Sequence, residues 1–190
     1  MIGILGLHGS ASHPASISEF AARLAQGRPC CTPRGTFADG EGFTFFRRRP
    51  DFSIPAEELI DLARQSLSPD GCVAACGLRD MLLVGYSSGA IFSTALLSVA
   101  PDSVVGAVLL RPQPISEEFS FPDLSGKPIL IISAAHDARR QPWHATRLAE
   151  QLAAANALVT HHTLDGGHEW APDDLDFVLA RAWMDEHFPA

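Results

Sequence analysis

Apolar runs of strand length alternate with segments of helical period along nearly the whole chain, and this alternation restricts the fold more than any other feature. Ile2 to Leu7, Met81 to Gly85, Val104 to Leu110 and Pro128 to Ser133 are almost uninterrupted in their apolar character. A strand with one wet face alternates apolar and polar residues, whereas a continuous run belongs to a strand covered on both faces, as in a parallel sheet. Between these runs, Ile17, Phe20, Ala21 and Leu24 repeat at helical spacing. Pro55 to about Leu67 opens with a proline in its first turn and with Glu57 near the positive end of the helix dipole. Further helices are expected over Ser88 to Val99, Pro142 to Ala155 and Pro172 to His187, and further strands over Pro29 to Thr32 and Ala157 to Thr163. The pattern predicts an α/β fold, a mostly parallel sheet with helices on both faces, in one domain spanning 1–190.

Composition narrows the partners. The 190 residues are 46% hydrophobic, enough for a buried core. They carry 22 acidic against 14 basic side chains, a net charge of -8 that repels phosphate backbones and anionic bilayers. Nucleic acid and membrane are therefore not expected partners, and no apolar run approaches the roughly 20 residues of a membrane-spanning helix. Cys30 and Cys31 are adjacent and Cys72 and Cys76 lie close together, poor spacing for a tetrahedral metal site, so no metal is expected. With no signal-peptide pattern before Gly3, a reducing cytoplasm is the expected setting. One long connection, Gly35 to Ser53, combines glycines with Phe37, Phe43, Phe45, Phe46 and Phe52 and the run Arg47-Arg48-Arg49. Its aromatics suit either a satellite core or a substrate-pocket wall, and its arginines suit solvent or nearby acids.

The stretch Leu82 to Ala90 reads LLVGYSSGA. A strand runs into Gly85, Ser87 occupies a tight turn, and a helix begins at once. In this Gly-x-Ser-x-Gly elbow the serine takes strained dihedrals and projects its hydroxyl above the sheet, while the glycines leave room where strand and helix approach. An alcohol is a weak nucleophile at neutral pH and needs a base, which in turn needs an orienting group. Asp137 lies just beyond the buried-type strand that ends at Ser133, and His168 sits on a glycine-rich loop before the last helix. Both stand beyond carboxyl ends of strands, where catalytic groups of such sheets gather. Ser87 is the expected nucleophile, His168 its base and Asp137 the acid that orients it. Asp165 competes weakly for the acid's part, His136, His161 and His162 for the base's, and Ser88 falls one position off the elbow's centre. The backbone N–H of Ser88 is expected instead to form one half of an oxyanion hole, and that of Ser10, in the loop after the first strand, the other half. His8 is expected to brace that loop. Phe45, Phe46, Gln113, Ile115 and Trp170 come from loops near the expected mouth and are candidate substrate contacts.

Set together, LHGS (Leu7 to Ser10), TPRG (Thr32 to Gly35), FFRR (Phe45 to Arg48), GYSSGA (Gly85 to Ala90), GAVLLRP (Gly106 to Pro112), DLSGKPILI (Asp123 to Ile131), HD (His136-Asp137) and GGHE (Gly166 to Glu169) resemble the small carboxylesterase/phospholipase group of α/β-hydrolases, relatives of acyl-protein thioesterases. The resemblance implies the α/β-hydrolase fold in a minimal version without a lid domain. It also implies Ser87, Asp137 and His168 as a catalytic triad, no metal or organic cofactor, and homodimers among its members. Two departures stand out: Ala11-Ser12-His13-Pro14 replaces the usual glycines after HGS, and Gln113-Pro114-Ile115-Ser116 follows GAVLLRP. The expected activity is hydrolysis of small acyl or aromatic carboxylic esters through an acyl-enzyme. The alternatives are a thioesterase, lysophospholipase or acyltransferase on the same residues, and a catalytically silent binding protein.

Overall fold

The apolar runs emerge as the inner strands of a sheet in the computed structural model, which describes residues 1–189. β1 (Ile2–Leu7) lies between β2 (Cys30–Cys31) and β5 (Asp80–Tyr86); β6 (Val104–Leu110), β7 (Pro128–Ala134) and β8 (Leu158–Leu164) follow outward. All five pairings are parallel, with Leu7 opposite Gly85 and Tyr86 opposite Leu110. Because successive side chains point to opposite faces, Leu83, Leu109, Ile129 and Ile131 join one core and Leu82, Val84, Val108, Leu110, Leu130 and Ile132 the other.

Each core is closed by helices. On the first face, α2 (Ala56–Ser66), α3 (Ser88–Val99) and α4 (His144–Ala154) contribute Leu59, Ala63, Phe92, Leu96, Leu148 and Leu152. On the second, α1 (Ala15–Ala25) and α5 (Leu175–His187) contribute Ile17, Phe20, Ala180, Trp183 and Met184. Ten consecutive residues of α3, Ser88 to Leu97, are buried, which makes it the central helix and fixes the direction in which the preceding turn points. No helix among the described residues is long and apolar enough to cross a membrane.

The connection from Gly35 to Ser53 contains a hairpin that the sequence pattern does not disclose, β3 (Phe37–Asp39) with antiparallel β4 (Gly42–Thr44). Three residues per strand are too few for alternation to register. The hairpin docks on the loop after β1: Phe43 and Ser12 exchange backbone hydrogen bonds, and the Asp39 carboxylate accepts the Ala11 N–H at 3.0 Å. Gly42 sits so close to Ala11 that a Cβ there would lie 2.5 Å from its carbonyl carbon.

Cys31, at the end of the edge strand β2, is joined to Cys76 by a disulfide with Cα atoms 5.8 Å apart, leaving Cys30 and Cys72 as free thiols. Neither pairing nor partner follows from the spacing of the cysteines. Disulfides persist in oxidising surroundings, so this bond does not favour the reducing compartment expected from sequence.

Candidate active site

The chain leaves β1 toward one edge of the sheet and returns on its other side as β5, so the order reverses between these two strands. Ligands of open α/β sheets bind in the crevice outside the carboxyl ends at such a reversal. There, β5 ends in Tyr86, Ser87 adopts φ 56° and ψ -113°, and α3 begins. Such dihedrals are costly for a residue with a Cβ. The turn is held by the Ser87 N–H, which donates to the Leu110 carbonyl at 2.8 Å, and by the Ser87 carbonyl, which accepts from Ile91 N–H. Gly89 is required beside it, since a Cβ would stand 2.0 Å from the Leu7 carbonyl oxygen.

The structure brings Ser87, His168 and Asp137 together. The Ser87 hydroxyl lies 2.8 Å from His168 Nε2, and His168 Nδ1 lies 2.7 Å from Asp137 Oδ2. The Arg139 N–H donates to the other carboxylate oxygen at 2.9 Å, which fixes Asp137 from behind. Asp137 Oδ2 accepts a hydrogen bond from Nδ1–H, which keeps the proton on Nδ1 and leaves Nε2 as an acceptor for the serine hydroxyl. All three side chains are buried. Burial pushes the His168 pKa below its ordinary 6.5, against the pull of the Asp137 hydrogen bond, and the positive charge of Arg140 pushes the same way as burial.

Several residues with no role in the sequence pattern hold this arrangement. Arg111 lies fully buried at the end of β6 with φ 51° and forms a two-pronged ion pair with Asp176 of α5, at 2.8 and 3.0 Å. Its guanidinium also donates to the carbonyls of Glu169 and Gly167, and Asp176 accepts the Ala171 N–H, so one ion pair ties down the loop on both sides of His168. The Tyr86 hydroxyl donates to the His168 carbonyl, and its ring stacks on Trp170, 4.6 Å away and 16° from parallel. Arg140 reaches the serine, Nη2 donating to Ser87 Oγ at 3.1 Å while Nε donates to the Arg111 carbonyl at 2.9 Å. Burial lowers the Arg140 pKa to about 10, with the nearby charge of Arg48 adding to the effect. Arg111 stands within GAVLLRP and Tyr86 within GYSSGA; nothing local in either motif marks what it touches.

Of the two residues expected to supply oxyanion donors, Ser10 lies at the rim of the cleft and Ser88 is buried at the first turn of α3. Neither backbone N–H has a protein acceptor among the described residues. His8 is fully buried; its Nε2 accepts the Gly35 N–H at 3.0 Å and its Nδ1 side meets the Gly9 carbonyl at 2.7 Å. Burial lowers its pKa, consistent with a neutral ring that braces this loop. The alternatives lie elsewhere: His136 pairs with Asp165 on the surface, and His161 meets Ser133 on β7.

A cleft of about 280 Å³ opens over Ser87, lined among others by Ser10, Ser12, Tyr86, His168 and Trp170. Of the candidate substrate contacts, Trp170 is on its wall. Phe45, Phe46 and Ile115 require correction: they are at most 3% exposed and belong to the core. Phe45 packs between His8 and Phe92, which gives its ring more apolar contact than an open cleft could. Gln113 also lies off the cleft, its side-chain oxygen accepting from Arg48 at 2.8 Å.

No protein-family model matches the chain. The solved carboxylesterase of Bacillus cereus superposes with a TM-score of 0.86 over 97% of this chain and 88% of its own, at 25% identity. A carboxylesterase from Mesorhizobium loti superposes with a TM-score of 0.83 over 96% and 87%, also at 25% identity. The fold is that of the α/β-hydrolases. Arabidopsis thaliana SOBER1, at 15% identity, shares this α/β-hydrolase fold with a TM-score of 0.79 over 98% of each chain. Among curated proteins, "Putative hydrolase MhqD" of Bacillus subtilis (strain 168) is 28% identical over 106 residues, 56% of this chain and 52% of the relative. The aligned part thus spans about half the length of that relative.

Proposed function

We propose that this α/β-hydrolase cleaves carboxylic esters through an acyl-enzyme on Ser87. The observation that carries the reading is the unbroken path of hydrogen bonds from Asp137 through His168 to a serine in strained dihedrals. The carboxylesterase neighbours at 25% identity support the same chemistry.

In the first step His168 Nε2 takes the proton as Ser87 Oγ attacks the ester carbonyl. Asp137 holds the ring in the tautomer that makes this possible and stabilises the imidazolium that results. The oxyanion forms opposite the N–H groups of Ser88 and Ser10, donors worth roughly 3 kcal/mol each to such an intermediate. His168 then returns the proton to the leaving alcohol. Water adds to the acyl-enzyme by the same route in reverse, releasing the acid and restoring the serine. A cleft of about 280 Å³ with an aromatic wall suits short esters.

The test is turnover of p-nitrophenyl esters of rising acyl length by wild type and by Ser87→Ala. The reading expects acetate and butyrate to exceed long acyl chains in kcat/KM, and Ser87→Ala to lose about 10³-fold or more. Turnover that survives in Ser87→Ala would overturn it.

A further inference from the structure

This chain carries a net charge of -8, and five of its arginines form ion pairs with carboxylates, as Arg23–Asp174, Arg64–Asp61, Arg111–Asp176, Arg147–Glu150 and Arg181–Asp185. Arg140, in contact with Ser87, and Arg48 are not among them. Arg140 and Arg48 are both half-buried, and among the described residues neither is in an ion pair. Arg140 is oriented by neutral acceptors only, the carbonyls of Arg111 and Arg139 and the hydroxyl of Ser87. Arg48 is oriented by the Phe52 carbonyl and the Gln113 side-chain oxygen. The acid within electrostatic reach of Arg140 is Asp137, but both of its oxygens are committed, to His168 and to the Arg139 N–H.

The two cations share one strand end. Arg111, whose carbonyl anchors Arg140, is two residues from Gln113, whose side chain anchors Arg48. Burial lowers the pKa of His144, and the charges of Arg140 and Arg48 lower it further against the pull of Glu117 and Asp137; burial likewise lowers that of Arg140, with Arg48 adding to it, so the two cations lie near enough to act on one another and on a shared neighbour. Taking like charges out of water beside one another is costly, and the nearby Asp137 carboxylate, its oxygens bonded to His168 and Arg139, gives them charge but no hydrogen bond. A guanidinium offers five N–H groups in a planar fork suited to carboxylates. Three of these directions are engaged on Arg140 and two on Arg48, which leaves donors on both side chains for an incoming anion.

We propose that the substrate is an ester bearing a carboxylate a few bonds from its scissile carbonyl, and that Arg140 and Arg48 bind that carboxylate as specificity-determining residues. This rests on Ser87 as the nucleophile, and it deepens that reading by naming a charge the substrate must carry. Arg140 touches the nucleophile from outside the aromatic cleft, lining the adjoining cavity with Arg111 and Asp137, so the anion is held on that side of the reacting carbonyl and orients it.

Two measurements test it. The first compares kcat/KM for the mono-p-nitrophenyl ester of glutaric acid with that for its neutral methyl-capped counterpart, in wild type, Arg140→Gln and Arg48→Gln. A charge-assisted contact predicts that wild type favours the anionic ester by about tenfold or more. The preference should fall toward unity in Arg48→Gln, whose side chain does not touch Ser87, and in Arg140→Gln. A wild-type ratio near one, or a ratio unchanged in both variants, overturns the proposal. The second is calorimetric titration of folded Ser87→Ala with monomethyl glutarate and with dimethyl glutarate. Binding of the anion in preference to the diester, weakened by Arg48→Gln, supports the anion site even if the protein proves not to hydrolyse esters. Equal binding of the two, or of neither, counts against it while leaving the esterase reading intact.

Discussion

At the scale of single residues, His168 and Arg111 carry the clearest expectations. The base must be neutral at Nε2 to take the serine proton, and burial lowers its pKa from 6.5. Activity toward a neutral ester should therefore be full above that value and fall as pH drops through a midpoint lying below it. A rate profile measured on a stable ester checks this; a midpoint above 6.5 would mean that the imidazole is not shielded as the structure has it. Arg111→Met leaves Asp176 as an unpaired buried carboxylate, and breaking one side of such a pair costs about 3–5 kcal/mol. Chemical denaturation should show that loss, and adding Asp176→Leu should recover a large part of it. Ser87, Asp137 and His168 are readable from sequence because each sits at the end of a recognisable strand. Arg111, Arg140 and Arg48 are not, because their partners lie 65, 53 and 65 residues away in the chain. No local pattern encodes a contact of that reach.

Elements are legible where period and length suffice. β1, β6 and α3 match the sequence expectation at both ends, and the other expected strands and helices shift by a residue or two, the last helix excepted. The last helix is more broken than expected, a short 3-10 turn at Pro172–Asp174 preceding α5, with Asp173 and Asp174 both at positive φ. Both the β3–β4 hairpin and its role escape the pattern. The loop after β1 lacks the glycines that the family resemblance implies and is braced from outside, by Asp39, Phe43 and His8. Asp39→Ala should accordingly loosen the Ser10 segment and lower ester turnover, with little change in global stability, since its hydrogen bond to Ala11 is a surface one. Amide hydrogen exchange over residues 9–13 checks that expectation. Gly89→Ala belongs to this scale as well: its Cβ has no space against β1, so helix and strand must separate. Overpacking of this kind costs roughly 1–3 kcal/mol or more, readable as a lowered Tm together with lost activity.

For the whole molecule, two cores on opposite faces of one parallel sheet fix where the strand order reverses, and the reversal fixes where the cleft opens. The alternation of apolar runs and helical periods in the sequence already carries that information. It does not carry the tie between the sheet edge and the segment after α2, where Cys31 and Cys76 join across a sequence separation of 45. Loop-closure entropy puts the contribution of such a bond at about 2–4 kcal/mol. Reduction, or Cys31→Ser, should lower the denaturation midpoint accordingly, and the site's own geometry should survive because no cysteine touches it.

All of the proposed chemistry depends on the fold arming one serine. Intact-mass and peptide mapping after exposure to a fluorophosphonate probe measures this directly, on wild type and on Ser87→Ala and His168→Ala proteins shown to be folded. One adduct, on Ser87, is expected in wild type, with none in Ser87→Ala and a strongly slowed reaction in His168→Ala. A folded wild type that takes up no probe, or takes it up at another residue, would contradict that chemistry.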